Sequence, residues 1–147
     1  MAKASRTEAL LWSVALPGFG QLLNGKYIKG ILLITLEFLI NLKSDLNWVI
    51  ITSFHGDIPT IDQTKMEWLM FYPCVYMFGI WDAYKDAGEE LKPNASLPFS
   101  FGAFIGTIGV VFSKDFLGAV WLGLLGIGAG VIFGIGLRSI LRYRSVH

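Results

Sequence analysis

Ionisable side chains set within apolar runs are the first places to look for chemistry, because a charge in a lipid-like setting is costly and is kept only for a reason. Two such residues stand out. Glu37 follows Ile31-Leu32-Leu33-Ile34-Thr35-Leu36 and precedes Phe38-Leu39-Ile40. Asn41 lies four residues later, on the same face of a helix. Asp82 closes a second apolar run next to Trp81. A carboxyl group at such a position can bridge helices as a hydrogen-bonded contact, or can handle a proton or cation. For Asp82 the sequence also offers an ion pair, with Lys26 or Lys29.

Other arrangements are weaker. His55, Asp57 and Asp62 share a polar segment, but their spacing matches no standard metal-ligand pattern. A turn at His55-Gly56-Asp57-Ile58-Pro59 and a helix cap at Thr60 or Asp62 account for them. The only histidines are His55 and the terminal His147, so a nucleophile–base pair inside the apolar runs has no base to draw on. Gly18-Phe19-Gly20 lacks the preceding strand and the lysine spacing of a phosphate loop. No catalytic set, no cofactor site and no metal site is expected. The single Cys74 excludes an intrachain disulfide and reads as a small buried hydrophobe. The net charge of +1 and the absence of a basic stripe interleaved with aromatics give no support for a nucleic-acid partner.

The elements that must position these residues are apolar blocks. Apolar residues form 54% of the chain and charged ones 16%, against roughly 25% charged in ordinary soluble domains. Blocks, as opposed to one-sided stripes, are what helices surrounded by lipid need. Five stretches are present: residues 9–23, 27–42, 68–84, 97–112 and 116–137. A spanning helix wants about 20 residues. The last stretch fits, and the second, third and fourth fit once their flanks are counted. The first is short and is interrupted by Pro17, Gly18 and Gly20, which remove a backbone donor and weaken a helix. It either crosses with a kink or enters the membrane and returns.

Lys and Arg favour the cytoplasmic side of short loops. If all five stretches cross, the basic residues divide five against seven. If the first returns, Lys3, Arg6, Lys26, Lys29, Lys85, Lys92, Arg138, Arg142 and Arg144 share one side, and Lys43, Lys65 and Lys114 the other, nine against three. The bias favours the second arrangement. The expected fold is an all-α membrane protein of four transmembrane helices plus a short N-terminal re-entrant or interfacial helical hairpin, residues 9–30. It forms a single membrane domain over residues 1–147 in the cell membrane, with spans near 27–42, 68–84, 97–112 and 116–137 and both termini cytoplasmic. The basic N-terminus resembles the start of a signal peptide, but no small-residue cleavage site follows, so it is expected to be retained. Residues 43–67 form an outer segment, with a short interfacial helix carrying Trp48, Ile51 and Phe54 and capped by Ser44 or Asp45.

Glycines recur every four residues at Gly126, Gly130 and Gly134, and again at Gly102 and Gly106. This spacing puts each set on one helix face and lets helix backbones approach closely. Ser113-Lys114-Asp115 is a short connector, so the last two helices should form a tight antiparallel pair. The glycine faces serve either that packing or self-association.

The run Leu16-Pro17-Gly18-Phe19-Gly20-Gln21-Leu22-Leu23-Asn24-Gly25-Lys26-Tyr27-Ile28-Lys29-Gly30 resembles the start of bacterial small multi-pass proteins related to the two-transmembrane-helix domain. Gly79-Ile80-Trp81-Asp82-Ala83-Tyr84 is similar to their later Trp-rich helix with an Asp near its end. Leu23 departs from the pattern, in which an aromatic residue often precedes the second glycine, and the gap between the two elements is long here. The resemblance covers residues 9–88 and leaves out the last two spans. It implies a compact module in which a hairpin built on Pro17, Gly18, Gly20, Gln21, Asn24, Gly25, Lys29 and Gly30 packs beside Asp82. It implies little about activity. The expected role is structural or accessory and non-enzymatic, with the lipid bilayer and either a second copy or another membrane protein as partners. The alternative is a small transporter or channel component with Glu37 and Asp82 on a polar path.

Overall fold

The structure is a computed structural model that describes residues 4–58, 60–88 and 90–144. Lys3, Pro59 and His147, all named above, lie outside the described residues. The chain is helical throughout, with no strand among the described residues.

Two short helices open it: α1 (Arg6–Ala15), N-capped by the Ser5 hydroxyl accepting from the Glu8 backbone N–H, and α2 (Phe19–Leu23). Between them Leu16 is extended and Gly18 has φ 105°, a left-handed geometry that a side chain resists. A Cβ on Gly18 would also lie 2.5 Å from the Gly30 carbonyl oxygen. The turn thus depends on glycine twice, for its backbone and for its contact with the next helix. α3 (Tyr27–Ser44) follows, then α4 (Leu46–Phe54) after a corner at Asp45, whose φ is 51°. α5 (Gln63–Leu69) begins at Asp62, whose carboxylate accepts from the Lys65 backbone N–H. α6 (Tyr72–Asp86), α7 (Leu97–Val111), a 3-10 turn (Phe112–Asp115) and α8 (Gly118–Arg144) complete the chain.

Several expectations change. The apolar stretch 68–84 is not one helix. It is divided at Met70 and Phe71 between α5 and α6. Pro73, in the first turn of α6, has no N–H to continue an α-helical ladder from α5, and Phe71 bonds back to Trp68 in a tighter turn. Asp45 occupies the N-cap position of α4 but makes no side-chain capping bond, and the Ser44 hydroxyl donates instead to the Ile40 carbonyl. α8 runs to Arg144, beyond the expected end near 137. It starts at Gly118 because Leu117 and Gly118 both have positive φ, 57° and 77°.

Contacts along α6 fix the stacking. Arg6, at the start of α1, lies over the Tyr84 ring and donates to the Glu90 carbonyl. Val14, near its end, accepts from the Tyr76 hydroxyl at 2.7 Å. α1 therefore climbs from the C-terminal end of α6 to Tyr76 and no further. Pro17 packs near Gly79, and α2 returns to Asp82 and Ala83. α3 then rises beside α6, from Lys29 at Asp82 to Glu37 at Tyr72.

α7 runs back along α6, with Gly102 against Met77 and Gly106 against Pro73. α8 is antiparallel to α7 over its length. A Cβ on Gly126, Gly130 or Gly134 would lie 2.5, 2.2 and 2.5 Å from the nearest backbone atoms of α7. Gly109, which falls outside the four-residue register, meets the Leu122 carbonyl in the same way. At the end of the stack away from the hairpin, Leu46, Val49, Met66, Leu69, Val110 and Ala119 form the main buried cluster.

One described helix, α8, is long and apolar enough to cross a membrane.

Candidate functional site

Polar side chains concentrate where the α1–α2 hairpin meets α6. Gln21 is fully buried, and its amide donates to the Gly79 carbonyl at 2.8 Å and to Asp82 Oδ2 at 3.2 Å. Asn24 is 8% exposed and donates to the Ala83 carbonyl at 2.8 Å. Lys29 Nζ bridges Asp82 Oδ1 at 2.8 Å and Asp86 Oδ2 at 2.9 Å. Asp82 and Asp86 are one turn apart on α6, so a single ammonium group reaches both.

Local sequence explains why these groups converge. Gly20 sits so close to α1 and α6 that a Cβ there would lie 2.5 Å from the Ala9 carbonyl oxygen and 2.7 Å from the Ala83 Cβ. Ala9, Ala83 and Ala87 form a small buried cluster at this contact. Small residues on three helices bring the backbones together, and Gln21 and Asn24 then reach α6 carbonyls directly. Gly30 packs under the Leu22 side chain, whereas Gly25, with φ 73°, has open space around it and serves the turn. The network joins Gln21, Asn24, Lys29 and Asp82, for which Pro17, Gly18, Gly20, Gly25 and Gly30 provide the backbone path. Asp86 also belongs to it. Its place one turn after Asp82 was the available signal.

Glu37 and Asn41 do not come together. Asn41 instead exchanges hydrogen bonds with Asn47, its amide donating to Asn47 Oδ1 at 3.2 Å and its Oδ1 accepting from the Asn47 N–H at 3.3 Å. The left-handed corner at Asp45 folds α4 back so that Asn47 reaches Asn41. Glu37 faces α6, where the Tyr72 hydroxyl lies 3.5 Å from Oε1, while Oε2 is buried without a hydrogen bond. Tyr72 stacks on Tyr76 with ring centroids 5.7 Å apart. Sequence reasoning missed both tyrosines; their four-residue spacing opposite Glu37 was the signal available.

Glu37 and Asp82 occupy separate surroundings: Lys29, which pairs with Asp82, and Glu37 lie eight residues apart on α3, with Leu33 buried between them. His55 bonds the Ile51 carbonyl of its own helix. No group of three metal-ligating side chains occurs among the described residues. Cys74 Sγ lies 3.2 Å from the Thr107 hydroxyl of α7 and is exposed, against the expectation of a buried thiol.

At the other end of the stack Lys65 Nζ pairs with Asp45 Oδ2 at 2.7 Å and Asp62 Oδ2 at 3.6 Å. The hydrogen bond to Asp45 holds the Lys65 ammonium above the ordinary lysine range, with Asp62 adding to it. This pair ties the start of α5 to the corner after α3.

No protein-family model matches the chain, and neither a curated protein nor a solved structure matches it.

Proposed function

We propose that this chain is a small multi-pass membrane protein with a structural or accessory, non-enzymatic role. Four spans, near residues 27–42, 68–84, 97–112 and 116–137, would surround an N-terminal hairpin that enters from the cytoplasmic side and returns. Both termini would be cytoplasmic. The resemblance of residues 9–88 to bacterial proteins related to the two-transmembrane-helix domain belongs to this reading.

One observation carries it: the polar side chains at helix contacts turn inward to bond one another, while the outer faces of the helices are hydrocarbon. Only 17% of the most apolar window of α8 is buried, unlike the mostly buried core helix of a soluble fold. Ile28, Phe104 and Ile132 are 86, 63 and 73% exposed, and exposed apolar surface on this scale needs a lipid or protein cover. The hairpin fits a returning segment because both of its arms meet the same half of α6, and its irregular backbone is covered by protein. With Gly126, Gly130 and Gly134 occupied by α7, the exposed faces are where a second copy or another membrane protein would bind.

The second reading, a small transporter or channel component, draws on Glu37, whose Oε2 is buried and unpaired. Asp82 gives it less support, since Lys29 and Gln21 already hold it. The test is reconstitution into vesicles with an imposed proton or potassium gradient. The expected result is leakage equal to that of protein-free vesicles. A flux that Glu37→Gln abolishes would replace the accessory role with the transport one.

A further inference from the structure

We infer that the outer half of the molecule holds a binding cavity for a single hydrocarbon chain, a lipid acyl tail entering sideways from the bilayer. The inference rests on the membrane reading above and goes beyond it in naming a site and a ligand. The cavity exists because the hairpin stops one turn short of the start of α6. α1 covers α6 from Tyr84 to Tyr76, so the first turn of α6, from Tyr72, is left without a neighbour on that face. Val14 and Ala15, at the hairpin tip, close one end; Ile50 and Phe54 of α4 close the other; Tyr72 and Tyr76 of α6 and Val120 and Leu124 of α8 form the walls. The cavity is open on one side and has a volume of about 270 Å³, roughly nine times the ~30 Å³ share of a water molecule in the liquid.

The chemistry of the walls selects the occupant. No charged residue lines the cavity. Its two hydroxyls are directed elsewhere, Tyr76 to the Val14 carbonyl and Tyr72 toward Glu37. Water inside would find too few partners, which favours an apolar guest. A ligand with a buried polar group would leave that group unpaired, at a cost. The volume lies just below the range of pockets that hold drug-sized molecules, about 300–1,000 Å³, which suits a slender chain better than a ring system. The rim is continuous with exposed apolar residues, Val14, Phe54 and Leu124 being 45, 64 and 52% exposed. A guest can therefore enter from surrounding hydrocarbon without crossing a polar barrier.

The test is photolabelling in bilayers of a phosphatidylcholine carrying a diazirine in one acyl chain, with adducts mapped by peptide mass spectrometry. Labels are expected at Ile50, Val120 and Leu124 as well as at the outward residues Ile28 and Leu32. Filling the cavity with Ile50→Phe and Val120→Phe should remove the cavity labels and leave the outward ones. If that double variant does not fold, Leu124→Phe alone narrows the mouth and should reduce the same labels. Outward labels without cavity labels would overturn the site while leaving the membrane reading intact. Cavity labels that survive filling would also overturn it. No labels at either place would overturn the membrane reading, and the site with it.

Discussion

Gly130→Ala tests the packing of α7 on α8 most directly. An added Cβ would lie 2.2 Å from the Phe101 carbonyl oxygen, 2.5 Å from its carbon and 2.7 Å from the Gly102 nitrogen. All three are backbone atoms, so no side chain can swing aside. Comfortable carbon contacts begin near 3.5 Å, and the two helices would have to part by about an ångström. Gly126 and Gly134, one turn to either side, are just as close to α7 and resist a local tilt. Forcing a methyl group into such a contact costs about 1–3 kcal/mol. Alanine also favours the helix over glycine by up to ~1 kcal/mol, which would hide part of the loss. Gly128→Ala removes that ambiguity, because a Cβ there meets nothing within 4 Å on the same helix. The propensity gain cancels between the two variants, leaving a difference of about 1–3 kcal/mol. Denaturant-induced loss of helical circular dichroism in mixed micelles gives the two stabilities. Agreement of the variants within about 0.5 kcal/mol, the range of inconsequential surface changes, would refute the close approach.

The hairpin contact has its own test. Asp82→Ala removes an acceptor from fully buried Gln21 and leaves Lys29 with Asp86 alone; a loss of about 1–3 kcal/mol is expected in the same unfolding assay. Lys29→Met should cost under ~1 kcal/mol, because the lysine side chain is 49% exposed and its ion pairs are screened. Equal losses would show that the ion pair, not the Gln21 bond, dominates. Lys65 predicts an alkaline signature. Its folded-state pKa is raised, so its contribution is fully present below the ordinary value of 10.5 and is lost as pH rises through the higher folded value. The stability difference between the native chain and Asp45→Asn should be constant from neutral pH up to 10.5 and shrink above it; a difference that stays constant into strong alkali would rule the pair out as its source. Topology can be read in a Cys74→Ala background with single cysteines at Lys26 and Asp57, both exposed. Labelling by a membrane-impermeant maleimide from opposite sides is expected, and labelling from the same side would exclude a hairpin that returns before α3 crosses.

Much of this arrangement was legible because it rests on residue types with narrow physical roles. Pro17 with Gly18 and Gly20 interrupts a helix whatever surrounds it, and Asp82 at the end of an apolar run needs a partner. Four-residue glycine spacing marks a face. What escaped depended on three-dimensional corners. The break at Met70–Phe71 is invisible to hydropathy, since apolar residues continue through it and Pro73 is compatible with the first turn of a new helix. Glu37 and Asn41 share a helix face by spacing, but the left-handed turn at Asp45 brings Asn47 to Asn41 and leaves Glu37 to Tyr72. Gly109 escaped because it lies three residues, not four, after Gly106.

The polar contacts at the hairpin fix position more than they add strength. Gln21 Oε1, Asn24 Oδ1 and the Ser13 hydroxyl are buried without hydrogen-bond partners, and each such orphan costs about 1–3 kcal/mol. That loss offsets much of what the satisfied bonds contribute, so close packing of Ala9, Gly20 and Ala83 must supply the net attraction. The bonds supply register. The Gln21 amide reaches the Gly79 carbonyl and Asp82 Oδ2 together, while Asn24 reaches the Ala83 carbonyl. A slide of α2 by one residue along α6 would break all three and push the Gly20 contact onto a residue with a side chain. Register in turn sets how high Val14 stands on α6, and thus how much of the Tyr72–Tyr76 face is left open. The height of the hairpin and the length of the apolar cavity above it are governed by the same few atoms.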